Sequence, residues 1–357
     1  MQVRWYLVSQ LGIRSSLAVS LPTLDLCCAG CAWQLASLAI LSNAIAKKVK
    51  SGLRQAENRE PHIFLACAVL FIKKAKMVLY IVGLGLGDER DVTVRGLEAI
   101  KSCDKVFLEM YTSILRVDKS RLEAYYGKEV VVADRNMVES EAEQIYEPAR
   151  EGNVAMLVVG DPVCATTHTD IMIRAKEFGV KVELIHNASA MGAAGCCGLQ
   201  LYNFGQTVSI PFFDDNWRPT SFYPKIKYNR GGGMHTLCLL DIKVKEPDFE
   251  AMKRGRTVFL PPRYMSVNTA AEQLIEAEEK HGEGAYSPKE TLCVGLARLG
   301  QPDQCIIAGT LEELTTQEFG EPLHCLIICG ETHDLEMEMM KEFLVERSKY
   351  KLDVQTS

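Results

Sequence analysis

The chain has 357 residues, of which 47% are hydrophobic and 24% charged, which is ordinary for a soluble globular protein with room for two domains. The formal net charge of -6 is uneven, because residues 1–76 contain ten Lys/Arg and three Asp/Glu and the remainder is therefore strongly acidic. Affinity for nucleic acid comes largely from Lys and Arg that neutralise phosphates, so this acidic body argues against nucleic acid as a direct partner.

Thirteen cysteines are scattered along the chain. The one C-x-x-C pair, Cys28 and Cys31, has no second pair at the spacing of a zinc finger, and no H-x-x-x-H is present. We therefore expect no metal site. Small buried thiols in a reducing compartment explain the cysteines best, which predicts a cytoplasmic protein.

The first 76 residues differ from the rest of the chain. Residues 24–46 approach the length of a membrane span, but Gln34, Ser37 and Asn43 dilute their apolar character. The Arg-bearing start resembles a transit peptide only faintly, and Gly12 interrupts the apolar region that a signal peptide would need. We predict an extension without function, disordered or added upstream of a working start at Met77, with targeting and a membrane tether as alternatives. No stable membrane association is expected.

From Met77 onwards, strand-like and helix-like segments alternate. This alternation predicts an α/β fold with a mostly parallel sheet between layers of helices. The predicted strands are 78–82, 105–110, 129–134, 154–162 and 180–189, and the predicted helices are 91–103, 136–150 and 168–179.

The pattern changes after residue 190 and predicts a second, mixed domain. Ser266 begins a predicted helix over 266–282, and the short turn at 300–303 indicates an antiparallel hairpin. The predicted strands are 206–213, 235–244, 290–300, 304–310 and 324–329. No internal repeat is evident. The expected domains are 77–190 and 191–345, followed by a frayed tail over 346–357.

The segment "VLYIVGLGLGDER" places Gly83, Gly85 and Gly87 between a strand and a helix. Such a loop first suggests a dinucleotide site, in which Glu109 at the end of the second strand could bind a ribose. However, the spacing is G-x-G-x-G, and the carboxylates of Asp88 and Glu89 would repel a pyrophosphate. An NAD-dependent oxidoreductase is thus disfavoured, and the glycines could serve backbone geometry alone.

Two further loops follow strands. "VVGDPVCATTH" sets Asp161 at the carboxyl end of a strand, although Gly, Asp and Pro also favour a plain turn. "HNASAMGAAGCC", over 186–197, is rich in small residues that permit close backbone approach. Three loops poor in Lys and Arg predict a cleft for a ligand without phosphates. S-adenosyl-L-methionine, with its positive sulfonium, fits that description.

Several long segments in order resemble one known family. They are "YIVGLGLGDERDVTVRGLE", "VVGDP", "IHNAS", "NRGGGMHTLCLLDIKVKE", "PPRYMSVN", "CVGLARLG" and "GEPLHCLII". Together they resemble the diphthine methyl ester synthases of the tetrapyrrole-methylase-like superfamily. The resemblance covers residues 77–345 and leaves 1–76 without a counterpart, which supports Met77 as the working start.

The resemblance implies two α/β domains of the tetrapyrrole methylase type, with S-adenosyl-L-methionine in the interdomain cleft, and a homodimer. It also implies a protein substrate, elongation factor 2, on a histidine that carries a 3-amino-3-carboxypropyl group. Four methyl groups would be added, three to the amine and one to the carboxylate, as a step of diphthamide biosynthesis.

The cofactor contacts carry over by position. Two residues depart from the family pattern, because Cys164 commonly aligns with glycine and Ala190 with a larger aliphatic residue; contacts through the backbone would tolerate both. The predicted cofactor-binding residues are Leu86, Asp161, Cys164, Ser189, Ala190, Leu240, Leu299 and His324.

Catalytic residues are not predicted. Methyl transfer mainly requires alignment and exclusion of water, although the amine must lose a proton before each methylation. His168, His186 and His235 are candidate bases, but a structural role is favoured for each. A methyltransferase acting on a small tetrapyrrole-like molecule and a catalytically silent module that binds the elongation factor are the alternatives.

Overall fold

The computed structural model describes residues 78–166, 168–246, 248–256 and 258–346, together with 348 and 350. The predictions made for residues 1–76, including the membrane and targeting alternatives, lie outside the described residues, as does most of the predicted tail over 346–357.

The first sheet has five strands, all parallel, in the order β3-β2-β4-β1-β5. The predicted parallel sheet is therefore confirmed. Its strands are β1 (Val78–Gly83), β2 (Lys105–Glu109), β3 (Val131–Ala133), β4 (Val154–Val158) and β5 (Lys181–Ile185).

Helices cover both faces of this sheet. Successive residues of β1 face opposite sides, so Leu79 and Ile81 pack into one core and Val82 into the other. Burial on both faces explains why the central strands read as continuous apolar runs. The helices are α1 (Val94–Ser102), α2 (Lys119–Tyr126), α3 (Arg135–Glu139), α4 (Glu143–Ala149) and α5 (His168–Glu177).

The single helix predicted over 136–150 is wrong in one respect, because the structure divides it into α3 and α4. The backbone N–H groups of Ser140 and Glu141 both donate to the carbonyl of Asn136, which ends the helical ladder there. Helix α2 was not predicted, although Gly127, with φ +66°, gives it a left-handed C-terminus typical of glycine.

The second sheet has the order β11-β10-β12-β7-β6 and is antiparallel except for the parallel β6–β7 pair. Strands β10 and β11 form the predicted hairpin. The strands are β6 (Val208–Ile210), β7 (Thr236–Leu240), β10 (Leu292–Ala297), β11 (Cys305–Thr310) and β12 (His324–Ile328).

The single strand predicted over 235–244 is interrupted at Asp241. The N–H of Asp241 donates to the carbonyl of Ile210 and its carbonyl accepts from the N–H of Met265, so the chain changes partners there. Beyond Asp241, β8 (Ile242–Lys243) pairs with β9 (Arg263–Tyr264) in a separate two-stranded ribbon.

The predicted helix over 266–282 is confirmed as α9, which Ser266 caps through its side chain and Gly282 closes with φ +62°. The helices of this second part are α6 (Ala190–Ala193), α7 (Tyr223–Gly231), α8 (Phe249–Lys253), α9 (Val267–His281), α10 (Leu311–Leu314) and α11 (Asp334–Met340).

Candidate active site

A cavity of about 430 Å³ lies between the two sheets, at the carboxyl ends of the parallel strands. This volume is within the range of small-molecule sites. Residues of both sheets line it, and all eight residues predicted to bind the cofactor are among them: Leu86, Asp161, Cys164, Ser189, Ala190, Leu240, Leu299 and His324. The structure therefore brings the eight positions together; their contact with a cofactor stays a prediction.

The glycine loop after β1 is bound to the turn after β4 through the backbone. The N–H of Gly160 donates to the carbonyl of Gly85 at 2.8 Å, and the reciprocal bond measures 3.2 Å. Both residues have φ +78°, a conformation that favours glycine. A Cβ on Gly83 would lie 2.6 Å from the carbonyl oxygen of Gly160 and 2.8 Å from the Cβ of Asn187. The glycines thus permit two turns to approach closely beside the cavity.

Asn187 joins the third loop to the first. Its side-chain Nδ2 donates to the carbonyls of Gly83 and Asp91, at 2.9 Å each. Asp91 in turn accepts from the N–H of Gly87 at 2.7 Å. The three loops that the sequence placed after strands are therefore held as one unit.

Asp161 fixes the turn after β4 to the loop after β5. Its Oδ1 accepts from the N–H of Val163 at 3.0 Å, and its Oδ2 accepts from the N–H of Asn187 at 3.1 Å and lies 2.9 Å from Nδ1 of His186. Burial alone would raise the pKa of this carboxyl, but these three hydrogen bonds outweigh it and hold the pKa below its ordinary value. Asp161 is therefore an anionic anchor for two loops of the cavity wall.

Asp88 and Glu89, from which the sequence argument drew an acidic loop, do not line the cavity. Asp88 pairs with Arg90 at 2.6 Å, and Glu89 pairs with Arg121 at 2.9 Å. The arginine partners weaken the repulsion of a pyrophosphate that was expected from these two carboxylates.

Glu109, the ribose-binding acid of the dinucleotide alternative, is fully buried. Its carboxylate accepts from the N–H groups of Tyr111 and Thr112 and from the Thr112 hydroxyl, at 2.7–2.8 Å. It shapes the loop after β2 and is not available to a ribose.

Cys164, Ser189 and Ala190 lie in the turns after β4 and β5. The N–H of Cys164 donates to the carbonyl of Asp161 at 3.3 Å, and the hydroxyl of Ser189 caps α6, whose first residue is Ala190. At Cys164 and Ala190 the chain departs from the expected family residues; Cys164 lies in a short turn, and Ala190 begins α6.

Leu240, Leu299 and His324 come from the second sheet. Leu240 ends β7, Leu299 follows β10, and His324 begins β12. The two leucines are buried and give this wall an apolar surface.

Both ring nitrogens of His324 are used by the backbone. Its Nδ1 accepts from the N–H of Val267 at 3.3 Å, and its Nε2 donates to the carbonyls of Gly320 and Glu321 at 3.0–3.1 Å. Burial lowers the pKa of His324, so the ring is uncharged at neutral pH. It contributes a neutral surface to the cavity.

The three histidines considered as bases lie outside the cavity wall. His168 is fully buried, with Nδ1 on the carbonyl of Pro162 and Nε2 4.0 Å from Glu109. His186 pairs with Asp161, and the buried His235 accepts from the N–H of Gly330. Each of the three thus has a partner within the protein, and the structural role favoured for each stays a prediction.

The sequence argument missed much of the wall. The loop after β2, the start of α3, the end of β6 and the hairpin turn after β10 all contribute side chains. The polar residues among them are Tyr111, Thr112, Ser113, Arg116, Arg135, Ser209, Asp241, Arg298 and Gln301. For the loop after β2 a signal was available, since carboxyl ends of parallel strands share one edge; for the others no pattern in the sequence pointed to the cavity.

The hairpin turn of the second sheet also contacts the first half of the chain directly. Nε2 of Gln301 donates to the carbonyls of Leu86 and Gly87, at 2.9 and 2.6 Å. Arg116 pairs with Asp303 at 2.9 Å. These contacts hold the two walls together at one end of the cavity.

Within the described ranges, no group of three or more His, Cys, Asp or Glu side chains is arranged to hold a metal ion. Eight cysteines there, from Cys164 to Cys329, are free thiols. No helix of the described part has the length and apolar character to cross a membrane.

The family model of the Tetrapyrrole (Corrin/Porphyrin) Methylases matches residues 78–315. The diphthine methyl ester synthase of Mus musculus is 55% identical over 276 residues, which are 76% of this chain and 98% of the mouse protein. The chain belongs to the diphthine methyl ester synthases. It is thus a methyltransferase with the tetrapyrrole methylase fold.

Solved structures agree with this assignment. One from Entamoeba histolytica is 50% identical and has a TM-score of 0.68, covering 76% of this chain and 99% of its own. A crystal structure of a diphthine synthase is 34% identical, with a TM-score of 0.64 over 75% of this chain and 96% of its own. The cavity between the sheets is accordingly the candidate active site of a diphthine methyl ester synthase.

Proposed function

We propose that this methyltransferase uses S-adenosyl-L-methionine to add four methyl groups to the aminocarboxypropyl-histidine of elongation factor 2, giving diphthine methyl ester. The observation that carries the proposal is that all eight predicted cofactor-binding residues line one cavity. They are Leu86, Asp161, Cys164, Ser189, Ala190, Leu240, Leu299 and His324. The resemblance implies these positions in segments that lie far apart along the chain.

The cavity suits S-adenosylmethionine in shape and chemistry. Gly160 lines the cavity without a side chain, and Leu86, Leu240 and Leu299 offer apolar contact. Asp161 is ionised and buried at the edge of this region, which favours a cationic ligand over a phosphate. When bound, S-adenosylmethionine supplies a methyl group activated by its positive sulfur.

The residues of the chain contribute mainly by positioning. Both oxygens of Asp161 and both nitrogens of His324 are already hydrogen-bonded, so neither is free to take a proton. The leucines exclude water, and the joined loops fix the geometry of the wall. An arrangement that orients the reactants in line and keeps water out is sufficient for transfer from an activated methyl donor.

The test incubates the full chain with labelled S-adenosylmethionine and elongation factor 2 that carries the unmethylated aminocarboxypropyl-histidine. We expect four methyl groups on the modified peptide by mass spectrometry. Three would indicate an enzyme that stops before the ester. If no methyl group reaches elongation factor 2 but a small tetrapyrrole is methylated, the alternative is favoured, which is a methyltransferase of the same superfamily that acts on a small tetrapyrrole-like molecule.

We also propose a cytoplasmic homodimer whose working part begins at Met77 and comprises domains over 77–190 and 191–345. The free thiols support a reducing compartment. Light scattering tests the dimer, and cell fractionation tests the location. A chain that begins at Met77 is expected to match the full chain in methyl transfer; loss of activity would show that residues 1–76 contribute.

A further inference from the structure

The eight predicted cofactor residues occupy one part of the cavity wall only. In the first sheet they follow β1, β4 and β5, which are neighbours in the order β3-β2-β4-β1-β5. In the second sheet they belong to β7 and β12 or follow β10. The loops after β2 and β3, the end of β6 and the residues just beyond β7 also line the cavity but have no assigned ligand.

These unassigned segments border one another. An ion pair of 3.1 Å joins Lys245, just beyond β8, to Asp134, which precedes α3. Arg135 follows Asp134, and Asp241 precedes β8, so a cation and an anion line the cavity on the two sides of this contact. The cavity wall therefore carries a cation from one of the two joined segments and an anion from the other.

Arg135 is the cavity cation best placed to bind an anion. Arg116 is committed to Asp303, and Arg298 donates to the carbonyls of Asp303, Phe319 and Glu321. Arg135 has one ion pair within the described residues, with Glu139 at 3.5 Å through Nε, and its side chain is 68% exposed.

The guanidinium of Arg135 is also oriented. Its Cζ lies 5.3 Å from the centre of the Tyr111 ring, and Tyr111 is itself buried in the cavity wall. Stacking on an aromatic ring holds the planar guanidinium in one orientation while its outer nitrogens stay available. Two parallel N–H groups of an arginine match the two oxygens of a carboxylate.

Asp241 is fixed in the segment between β7 and β8. Its backbone N–H donates to the carbonyl of Ile210 and its carbonyl accepts from Met265, so the main chain is held on both sides. Its Oδ2 accepts from the N–H of Phe212 at 3.2 Å, and no protein partner of Oδ1 is found in the described ranges. Asp161, the other carboxylate of the cavity wall, has both oxygens occupied.

We propose that Arg135 and Asp241 form a subsite for the amino-acid head of the substrate, with Arg135 holding the carboxylate and Asp241 the amino group. This inference rests on the proposed function, because the aminocarboxypropyl-histidine carries both groups on one carbon. Neither residue takes part in a covalent step; both position the nucleophile that is to be methylated.

The reaction changes the contact with Asp241 and the contact with Arg135 in different ways. Each methylation of the amine removes an N–H donor but leaves a positive charge, so the attraction to Asp241 persists through the trimethylammonium. Formation of the ester removes the negative charge that Arg135 binds. The contact with Arg135 is then lost, which favours release of the product after the last methyl group.

The test compares Arg135→Ala, Arg135→Lys and Asp241→Asn in the full chain, with elongation factor 2 bearing the aminocarboxypropyl-histidine. For Arg135→Ala we expect KM for the protein to rise at least tenfold and the fraction of ester in the product to fall. Arg135→Lys should recover part of both effects. Asp241→Asn should slow the amine methylations and raise KM severalfold.

The affinity for S-adenosylmethionine, measured by calorimetry, should change less than twofold in all three variants, which also shows that they are folded. Arg95→Ala is the matched control, because Arg95 is 69% exposed, pairs with Glu183 at 3.8 Å and lies away from the cavity. It should behave as the wild type.

Equal KM and an unchanged ratio of ester to amine methylation in Arg135→Ala would overturn the subsite. So would a loss of S-adenosylmethionine affinity as large as the rise in KM, since the residue would then belong to the cofactor region. An inactive wild type would overturn the proposed function and the subsite with it, whereas an active wild type with unaffected variants overturns the subsite alone.

Discussion

The two sheets build their halves of the cavity in different ways. The first sheet is parallel, so the carboxyl ends of β1, β4 and β5 meet at one edge and their turns are joined through Gly85, Gly160 and Asn187. The second sheet is mixed, and it contributes single side chains such as Leu240 and His324 from the ends of separate strands. The parallel sheet thus contributes to the cavity through a few short loops, whereas the mixed sheet contributes through single residues on separate strands. A substitution in the loops of the first sheet should therefore lower stability or cofactor affinity more than a substitution in the second sheet.

The largest effect is expected for Gly83→Ala. The new Cβ would lie 2.6 Å from the carbonyl oxygen of Gly160 and 2.8 Å from Cβ of Asn187, and neither backbone nor β-carbon can move without breaking the joined loops. We expect a loss of about 3 kcal/mol in the free energy of unfolding. Denaturant unfolding measures it.

Gly231→Ala is the control for Gly83→Ala. Gly231 ends α7, and a Cβ there would meet no atom within 4 Å. The substitution should be neutral or stabilise by up to about 1 kcal/mol, because alanine favours a helix more than glycine does. Similar losses in both variants would contradict the importance assigned to the joined loops.

Asp161→Ala comes next. It leaves the N–H groups of Val163 and Asn187 without their acceptor and frees two turns of the cofactor region. An unsatisfied buried N–H costs about 1–3 kcal/mol, so we expect Kd for S-adenosylmethionine to rise about 10- to 100-fold. The affinity for elongation factor 2 should change much less. Calorimetric titration of each ligand distinguishes the two.

Asp161→Asn retains one oxygen acceptor and should give an intermediate loss of S-adenosylmethionine affinity. If Asp161→Ala binds S-adenosylmethionine as tightly as the wild type does, the cofactor does not bind in this part of the cavity. Loss of methylation with intact binding to elongation factor 2 would also separate an enzyme from a module that only binds the factor.

The second sheet should show a pH effect. Burial lowers the pKa of both His235 and His324, so protonation favours the unfolded chain. Their contribution is complete above the ordinary value of 6.5 and declines as the pH falls below it. We expect a loss on the order of 1 kcal/mol per histidine between pH 6.5 and 5, measured by thermal unfolding at several pH values.

The double variant His235→Gln, His324→Gln provides the reference for this pH effect. It should be less stable at pH 7 but should lose less stability between pH 6.5 and 5 than the wild type does. Parallel curves for the two proteins would show that other groups cause the dependence.

The smallest effect is expected for Arg116→Ala, which removes the ion pair with Asp303 between the two walls. Both side chains are partly exposed to solvent, and such pairs contribute about 0.2–1 kcal/mol. We expect a few-fold faster dissociation of S-adenosylmethionine by stopped flow. A double-mutant cycle with Asp303→Ala isolates the pair, and coupling that does not weaken with added salt would contradict an electrostatic contact.

Much of the architecture could be predicted from the chain. Alternation of apolar strands and helices gave the parallel sheet, and the hairpin of β10 and β11 followed from its short turn. The break at Asp241 could not be foreseen, because an apolar run does not show that a residue changes partners between two sheets. The break within 136–150 depends in the same way on two N–H groups that converge on Asn136.

The candidate site could also be predicted only in part from the sequence. The turns at Gly85, Asp161 and Ser189 are visible in the sequence, because loops after parallel strands share an edge. Leu240, Leu299 and His324 were placed by resemblance alone, since nothing in their spacing along the chain relates one to another. The sequence shows the carboxylates of Asp88 and Glu89 next to the glycine loop, but not that Arg90 and Arg121 pair with them.

The sequence by itself therefore determined the family, the parallel sheet and the three loops at its edge, because these depend on local patterns and on neighbouring strands. Only the tertiary structure decided which polar side chains are free: it occupied Asp161, His324 and Arg298 with backbone and side-chain partners, and it left Arg135 and Asp241 lining the cavity. The reason is physical. The availability of a charged group depends on every atom packed around it, and those atoms come from segments far apart in the chain.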